Sequence, residues 1–394
     1  MLHKFEWRKP DGRVWIEYSR QPYPDDYRLT GPVVERPESW TPPHLRWHAM
    51  RGEFVSISAS RQDRPFLPPR EYCPLCAPSA GDDGVIVPSE VPFGGQRYSW
   101  AIFENMFPGL SAGKAAGSER NSPGAARCAV TGRCEVVLYS PRHDSTLAYE
   151  SLSHIEGLIA VWQDRCLALE KEEGLAYLFP FENKGTEIGV TLHHPHGQLY
   201  AFNHVPPFVA NEHRIAASHH AHTGECLVCT LAGEEERSGE RLVILTNTMV
   251  AFVPYAARYP YEVHITSRRH RPLIHQLDEV ERRELAIVLK TVLLKYDRLF
   301  NFPMPYIMVH HQAAARDWQC PSYHWHIELY PPYRSAEKLK YLAGVESGTG
   351  LFINDTFPEE KAAELRAIEV SVGVFDDEGH ESSEGDSYAD TAIQ

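Results

Sequence analysis

Three histidines stand within four positions of the segment TLHHPHGQLY, at His193, His194 and His196. A neutral imidazole is a good nucleophile toward phosphorus, and the phosphoramidate that it forms is reactive enough to pass its group to a second phosphate. If His194 binds a metal, His196, two positions further along the same strand face, is free to point toward a ligand. We therefore predict that His196 is a covalent nucleophile.

The glutamine that ends this run favours transfer over hydrolysis. Gly197 lets the backbone approach a phosphate closely, and the amide of Gln198 can donate hydrogen bonds to a phosphoryl oxygen as charge builds there. An amide cannot deliver a proton, whereas a histidine at this position could protonate a leaving group and help water to enter. Gln198 is thus predicted to be catalytic, and His193 has no predicted role.

Two Cys-x-x-Cys pairs, CPLC and CLVC, indicate metal binding. A tetrahedral zinc takes four sulfur or nitrogen ligands, and this spacing presents two thiolates on one side. The predicted first ligand set is Cys73, Cys76, His143 and His194, and repeat symmetry predicts a second set of Cys226, Cys229, His270 and His324. A redox role is disfavoured because neither pair is expected to open a helix after a parallel strand. We expect Zn²⁺ at the first set and a second zinc at the other, with no organic cofactor.

These residues recur in a duplicated unit. Each copy contains, in order, a Cys-x-x-Cys pair, a strand that ends in histidine, a long amphipathic helix, and a strand with His-x-His. Apolar spacings of three and four predict a helix laid over a sheet, and segments such as FENMFPGL and RLVILTNTMVAFVPY are typical of antiparallel strands. The pattern predicts an α+β architecture with an antiparallel sheet in each unit.

Composition and charge exclude several classes of protein. The chain has 394 residues, 43% of them hydrophobic, which suits two domains. It lacks a run of about eighteen apolar residues and a secretion signal, so we expect no membrane partner and a cytoplasmic location. A net charge of -14 argues against nucleic-acid binding.

The predicted divisions of the chain are an N-terminal extension (1–45), a first unit with the catalytic motif (46–212), a second unit (213–370) and a disordered acidic tail (371–394), with a mobile loop at 111–127.

The segment NKGTEIGVTLHHPHGQ, with CPLC, His143, RQDRP, ENMFPGL and YPPYRSAEKLKYLAGVE, resembles the galactose-1-phosphate uridylyltransferase family, a double-repeat branch of the histidine-triad superfamily. The resemblance implies two tandem histidine-triad-like units, each an antiparallel sheet with a long helix, that form one joint half-barrel-like sheet platform. It also implies a ping-pong exchange. UDP-glucose would give its uridylyl group to His196 and release glucose 1-phosphate, and galactose 1-phosphate would collect that group as UDP-galactose.

The resemblance also implies the substrate contacts. Residues expected at the nucleotide or its phosphates are Arg61, Arg64, Asn105, Phe107, Asn183, Gly189, Thr191 and Gln198. Residues expected at the hexose are Lys340, Tyr341, Val345 and Glu346. In the family these two sets meet across a dimer interface, so a homodimer is implied.

Three departures from the family pattern bear on these assignments. Met106 stands where members often have Asp beside the ribose, and Thr191 stands where Ser is common. Some members place a second metal between a glutamate and three histidines, which match Glu212, His311, His324 and His326 here. Both metal schemes need His324; we favour the cysteine scheme because it repeats the spacing of the first unit, and the sequence excludes neither.

Two other functions fit the same residues. The first is an ADP-glucose-specific adenylyltransferase or phosphorylase of the same superfamily, with the same covalent histidine and a different base pocket. The second is a zinc-dependent binding module that senses a nucleotide without turnover, although such a module has no need of an intact His196, Gly197 and Gln198.

Overall fold

The computed structural model describes residues 2–31, 33–36, 40–78, 89–94, 98–110, 119–122, 125–129, 131–375 and 381–382. Most of the predicted acidic tail and the first part of the predicted loop, 111–118, lie outside the described residues. The later part of that segment was predicted to be a mobile loop as well, but it contributes two short strands.

The strands of the described residues are β1 (His3–Arg8), β2 (Val14–Ser19), β3 (His44–His48), β4 (Glu53–Ile57), β5 (Trp100–Glu104), β6 (Glu119–Ser122), β7 (Ala125–Ala129), β8 (Gly132–Leu138), β9 (Tyr177–Lys184), β10 (His196–Phe202), β11 (Leu242–Leu245), β12 (Met249–Phe252), β13 (Val263–Ser267), β14 (Tyr306–His311), β15 (His326–Tyr330), β16 (Tyr333–Ser335), β17 (Lys338–Leu339), β18 (Val374–Phe375) and β19 (Glu381–Ser382). The α-helices are α1 (Leu152–Leu169), α2 (Pro207–Thr223), α3 (Leu227–Ser238), α4 (Glu279–Leu299), α5 (Gly344–Thr349) and α6 (Pro358–Ala367).

The chain divides into two units, each with its own antiparallel pairing. The first contains Met1–Ser145, Ala168–Pro180 and Thr191–Phe208, and the second contains Thr146–Leu167, Phe181–Val190 and Val209–Gln394. Most of α1 therefore groups with the second unit, although its sequence lies within the first repeat. The predicted α+β class with antiparallel sheets is confirmed.

In the first unit, antiparallel strands follow the order β1-β2-β5-β8-β10, and β4-β3-β7-β6 form a smaller sheet. The register places His196 opposite Leu138 and Gln198 opposite Val136. Directly opposed residues share a sheet face, so these four side chains lie on one face. The segment ENMFPGL, expected as a strand, leaves β5 at Glu104 and continues as a loop.

An aromatic cluster buries part of this face. Trp15 stacks on Phe103 with 5.3 Å between ring centroids. Leu75, which stands between the first two cysteines, is 3% exposed and packs in the same cluster. Burial of this leucine stabilises the packing by about 2 kcal/mol and fixes the Cys-x-x-Cys segment against the sheet.

In the second unit, the order is β14-β15-β13-β12-β11, and the second half of β9 pairs with β14. Helix α4 begins after Asp278, whose side chain accepts a hydrogen bond from the backbone N–H of Glu281. Its apolar residues at spacings of three and four, including Leu285, Val288 and Leu289, are fully buried. The predicted helix and the predicted β11–β12 pair are therefore present.

Helices α2 and α3 were not predicted. Only two residues of helix α2, Val209 and Ala216, are buried. The helix therefore lacks the wide apolar stripe from which a helix is predicted. None of the described helices is both long and apolar enough to cross a membrane. Cys134, Cys166 and Cys320 are buried, which is typical of a free cysteine that packs as a small apolar side chain.

Candidate active site and metal centres

Successive side chains of strand β10 point to opposite faces of the sheet. Leu199 and Ala201 are fully buried, whereas His196 and Gln198 are half-buried on the other face. His194 lies just before the strand and is completely enclosed, while His193 is exposed. The three histidines therefore occupy three different environments, and His194 precedes the strand, whereas the sequence analysis placed it on the same strand face as His196.

His196 is held in the tautomer that a nucleophile requires. Its Nδ1–H donates to the backbone carbonyl of His194 at 2.8 Å, so the lone pair resides on Nε2. Burial lowers the pKa of His196, and the hydrogen bond to His194, which acts in the opposite direction, does not offset this. The imidazole is therefore neutral at neutral pH, with Nε2 able to attack an electrophile.

Gln198 is connected to a loop after β5. Asn105 Nδ2 donates to Gln198 Oε1 at 3.4 Å, which assigns the other end of the Gln198 amide as a hydrogen-bond donor. Asn105 Oδ1 in turn accepts from the backbone N–H of Phe107 at 2.8 Å. The loop thus orients two donor amides on the face that carries the candidate nucleophile.

Arg61 and Arg64 supply positive charge in the same unit. Arg61 lies in a short helix, Ala59–Asp63, and its Nη1 donates to the carbonyl of Phe107 at 3.2 Å and to the hydroxyl of Tyr200 at 3.3 Å. Arg64 Nε donates to the carbonyl of Arg61 at 3.0 Å. Burial, together with the charge of Arg61, lowers the pKa of Arg64. Two guanidinium groups near each other repel unless an anion lies between them, which suits a phosphate ligand.

The first predicted metal set is assembled. Cys76 Sγ lies 3.3 Å from His143 Nδ1 and 3.5 Å from His194 Nδ1, and Cys73 completes a group whose ligand atoms lie within 4.8 Å of one another. Ligands around a tetrahedral zinc are separated by about 3.6 Å, so these positions fit such an ion. His194 Nε2–H donates to the carbonyl of Ser140 at 2.8 Å, which directs Nδ1 toward the cysteines. The hydrogen bond from Cys76 lowers the pKa of Cys73 to about 3, so a thiolate is available.

The second predicted set has the same arrangement. Cys229 Sγ lies 3.4 Å from His270 Nδ1 and 3.2 Å from His324 Nδ1, and Cys226 completes the group. The Nε2 atoms of the two histidines contact the carbonyl of Cys320 at 2.8 Å and the hydroxyl of Ser267 at 2.9 Å. Cys226 is the N-cap of α3, so this pair does open a helix, but helix α2 rather than a parallel strand precedes it.

The residues of the competing metal scheme form a separate group. His311 Nδ1 lies 2.9 Å from Glu212 Oε2, and His326 belongs to the same cluster. His324, which both schemes require, instead faces Cys229. The cysteine set and the group of Glu212, His311 and His326 are therefore distinct in space.

A charged network adjoins that group. Glu328 is 4% exposed, and its Oε1 lies 3.3 Å from His326 Nε2 and 3.5 Å from His264 Nε2. Arg258 donates to its Oε2 at 3.0 Å. Burial alone would lower the pKa of His264, but the charge of Glu328 and a hydrogen bond to Glu262 outweigh it and raise that pKa. This network was not predicted.

Comparison with known proteins decides the family. The family models described as galactose-1-phosphate uridyl transferase, N-terminal domain and C-terminal domain, match residues 35–206 and 210–374. The chain belongs to the galactose-1-phosphate uridylyltransferase family. A relative of that name from Thermotoga maritima is 36% identical over 83% of this chain and 99% of its own length.

Two further similarities extend this result. A solved uridylyltransferase structure is 34% identical, with a TM-score of 0.71 over 82% of this chain and 97% of that one. An ADP-glucose phosphorylase from Arabidopsis thaliana is 27% identical over 84% of this chain and 94% of its own length. The galactose-1-phosphate uridylyltransferase family therefore borders a branch whose named member uses an adenine nucleotide.

The remaining family positions lie in defined places. In the first unit, the carbonyl of Thr191 accepts from the N–H of Leu67 at 2.8 Å. In the second unit, Asn183 is on β9, and Gly189 ends a short turn with a φ of 83°, a left-handed conformation that favours glycine. Lys340 Nζ contacts Glu346 Oε1 at 3.2 Å, whereas Tyr341 is 70% exposed and Val345 is 40% exposed.

Proposed function

We propose that this protein exchanges a uridylyl group between UDP-glucose and galactose 1-phosphate through a covalent uridylyl-histidine at His196. Membership in the galactose-1-phosphate uridylyltransferase family makes it a nucleotidyltransferase of galactose metabolism. The observation that carries the assignment of His196 is its hydrogen bond to the carbonyl of His194, because that bond leaves Nε2 unprotonated.

The reaction consists of two displacements at one phosphorus atom. Nε2 of His196 attacks the α-phosphorus of UDP-glucose, and the bond from phosphorus to the bridging oxygen breaks, with its electron pair leaving on glucose 1-phosphate. A phosphate oxygen of galactose 1-phosphate then attacks the same phosphorus and displaces Nε2, which gives UDP-galactose. The attacking phosphate is already an anion, so the second step needs no general base.

Gln198 stabilises charge in both steps. Its amide N–H groups would donate to a nonbridging phosphoryl oxygen as negative charge develops, while Asn105 holds the amide oxygen. Because an amide has no proton to deliver to a leaving group, the site does not assist attack by water. This difference favours transfer to a sugar phosphate over hydrolysis.

The family pattern supports the remaining substrate contacts. We place Arg61, Arg64, Asn105, Phe107, Asn183, Gly189 and Thr191 at the nucleotide, and Lys340, Tyr341, Val345 and Glu346 at the hexose. The exposed Tyr341 and Val345 are available to a second copy of the chain, which supports the homodimer that the family pattern implies.

We also propose a cytoplasmic location. The Cys-x-x-Cys pairs are not joined in disulfide bonds, which supports a reducing compartment.

Two structural zinc ions are proposed, one at each Cys₂His₂ set. Four ligands close the coordination sphere, so such an ion has no open position for substrate and contributes to folding. The cysteine scheme is supported in the second unit because His324 contacts Cys229, with its Nε2 bonded to Ser267. These ions would hold His194 and His324 in place rather than take part in transfer.

An ADP-glucose-specific adenylyltransferase or phosphorylase is the second candidate. Met106, in place of the Asp that family members often have beside the ribose, and the similarity to an ADP-glucose phosphorylase both favour it. A different base pocket would change the nucleotide and leave the covalent histidine unchanged.

Covalent labelling separates the candidates. Protein incubated with UDP-glucose or ADP-glucose, each labelled at the phosphate next to the nucleoside, is digested and analysed by mass spectrometry. We expect a uridylyl group on His196, none in His196→Gly, and a normal amount in the control His193→Gly. Adenylyl labelling alone would favour the second candidate, and labelling by neither would favour a binding module without turnover.

A further inference from the structure

The loop that carries Asn105 and Phe107 is bonded to the N-terminal extension as well as to the catalytic strand. Arg36 Nη2 donates to the backbone carbonyl of Asn105 at 3.1 Å, and Arg13 Nη1 donates to the carbonyl of Glu104 at 3.3 Å. These bonds hold the main chain of the loop, whereas Gln198 contacts its side chain. The position of the Asn105 amide is therefore fixed by residues far away in sequence.

Arg36 is itself held in place. Its guanidinium lies over the ring of Trp40, 4.6 Å from the centroid, and its backbone N–H donates to Asp11 Oδ2 at 3.4 Å. A guanidinium that stacks on an aromatic ring loses less freedom when it forms a directed hydrogen bond. The donor that Arg36 offers to Asn105 is thus largely preorganised.

A buried cluster of charges anchors this segment. Arg13 is 1% exposed and bonds to Glu90 at 2.8 and 2.9 Å, to Asp11 at 2.6 Å and to the carbonyl of Val34 at 2.5 Å. Lys9, which is 2% exposed, also pairs with Glu90. Two positive and two negative groups balance one another, yet their removal from water costs free energy that apolar packing would avoid. What the cluster provides is a fixed position for Val34 and, two residues later, for Arg36.

We propose that Arg36 is a positioning residue for the nucleotide half of the site. By holding the carbonyl of Asn105, it sets the position of the two loop residues, Asn105 and Phe107, that meet the nucleotide. This inference rests on the proposed function. Lys9, Asp11 and Arg13 precede the matched family range, whereas Arg36 and Glu90 lie within it.

The test compares the two half-reactions of the exchange. In Arg36→Ala the loop loses one charge-assisted hydrogen bond, so we expect kcat/KM for UDP-glucose to fall about tenfold. The value of kcat/KM for galactose 1-phosphate should fall by no more than about threefold, because the nucleotide is already bonded to His196 when that substrate arrives and only the support of Gln198 by Asn105 is weakened. Arg36→Lys, which keeps a donor and a charge, should recover part of the loss.

A matched control comes from the same extension. Arg8 lies on β1, is exposed, and donates to the carbonyl of Gly12 at 3.3 Å, so Arg8→Ala should leave both values of kcat/KM unchanged. An equal fall of both values in Arg36→Ala, in proportion to a lower Tm, would show a merely structural role and overturn the inference. Unchanged kinetics in Arg36→Ala would also overturn it. Absence of exchange in the wild-type protein would instead contradict the proposed function on which the inference rests.

Discussion

Strands β10 and β15 carry the same pattern in different surroundings. The first reads His-Gly-Gln-Leu-Tyr from His196, and the second reads His-Ile-Glu-Leu-Tyr from His326. In each, Nδ1 of the first histidine contacts the carbonyl of the metal-set histidine two positions earlier, at 2.8 and 3.0 Å. The backbone device that fixes the tautomer is therefore repeated in both units.

The neighbours across the sheet are what differ. Gln198 is opposite Val136, whereas Glu328 is opposite His264. The carboxylate of Glu328 lies 3.3 Å from His326 Nε2, the atom that would have to attack phosphorus. An approaching phosphate would meet a buried negative charge. The same backbone contact thus orients both histidines, and the residue two positions later, Gln198 or Glu328, determines whether the histidine can act as a nucleophile.

Replacement of His196 or of His326 should give the largest difference between the two strands. His196→Ala is expected to lower the exchange rate by at least about 10⁴-fold, because no other group can carry the covalent intermediate. His326→Ala should reduce the rate by less than about tenfold and lower the free energy of unfolding by about 1–3 kcal/mol, since Glu328 loses a buried partner. Steady-state exchange and urea unfolding measure the two effects. Comparable rate losses in both variants would contradict the assignment.

Making the first strand resemble the second should have the next largest effect. Gln198→Glu places a carboxylate where the amide donates to the phosphoryl oxygen, so we expect kcat to fall about 10²–10³-fold. The reverse change, Glu328→Gln, should not produce uridylylation of His326, because His264 and His311 still surround the site. Rapid-quench labelling checks both variants, and label on His326 would refute this account of the second strand.

The two metal sets should respond differently to the loss of one ligand. Cys73→Ser and Cys226→Ser are each expected to reduce zinc from two ions per chain to one, as measured by elemental analysis. Only the first should also lower activity by about tenfold, because His194 both belongs to that set and orients His196. Retention of two ions in Cys226→Ser, with loss of one in Glu212→Gln, would favour the alternative metal scheme.

Replacement of Tyr200 or Tyr330, the last residues of the shared pattern, should give the smallest difference between the two strands, measured as a change in KM. Tyr200 accepts a hydrogen bond from Arg61, so Tyr200→Phe should raise KM for UDP-glucose about fivefold, the effect of one lost hydrogen bond. Tyr330 forms the equivalent contact with Arg258 at 2.6 Å in the second unit, and Tyr330→Phe should change KM by less than about twofold. Equal changes would argue that Tyr330 and Arg258 also take part in nucleotide binding.

The sequence was most informative where chemistry depends on local spacing. Two Cys-x-x-Cys pairs and two His-x-His strands led directly to both assembled ligand sets, and the expected use of His194 as a metal ligand left His196 as the candidate nucleophile. Helix α1 was predicted from its apolar period, but a period shows that a helix covers a sheet and not which sheet it covers. Its residues 152–167 group with the second unit.

What escaped prediction depends on register between distant strands. His264 and Glu328 meet only because β13 and β15 pair with these residues opposite each other. The signal that could have revealed Glu328 was its match to Gln198 in the shared pattern. The role of Arg36 could not be predicted either. Its hydrogen bond is accepted by the backbone carbonyl of Asn105, and every residue type has such a carbonyl.

His194 makes two contacts at once, since its ring faces the cysteines while its carbonyl accepts a hydrogen bond from Nδ1–H of His196. An imidazole in water divides its proton between the two nitrogens, and a chain without that fixed carbonyl would do the same. Part of the population would then have its attacking atom capped by hydrogen while the overall fold remained. Because the two tautomers exchange through water faster than an enzyme turns over, zinc depletion that frees this carbonyl would appear first as a lower rate of attack in every molecule, before any unfolding could be detected.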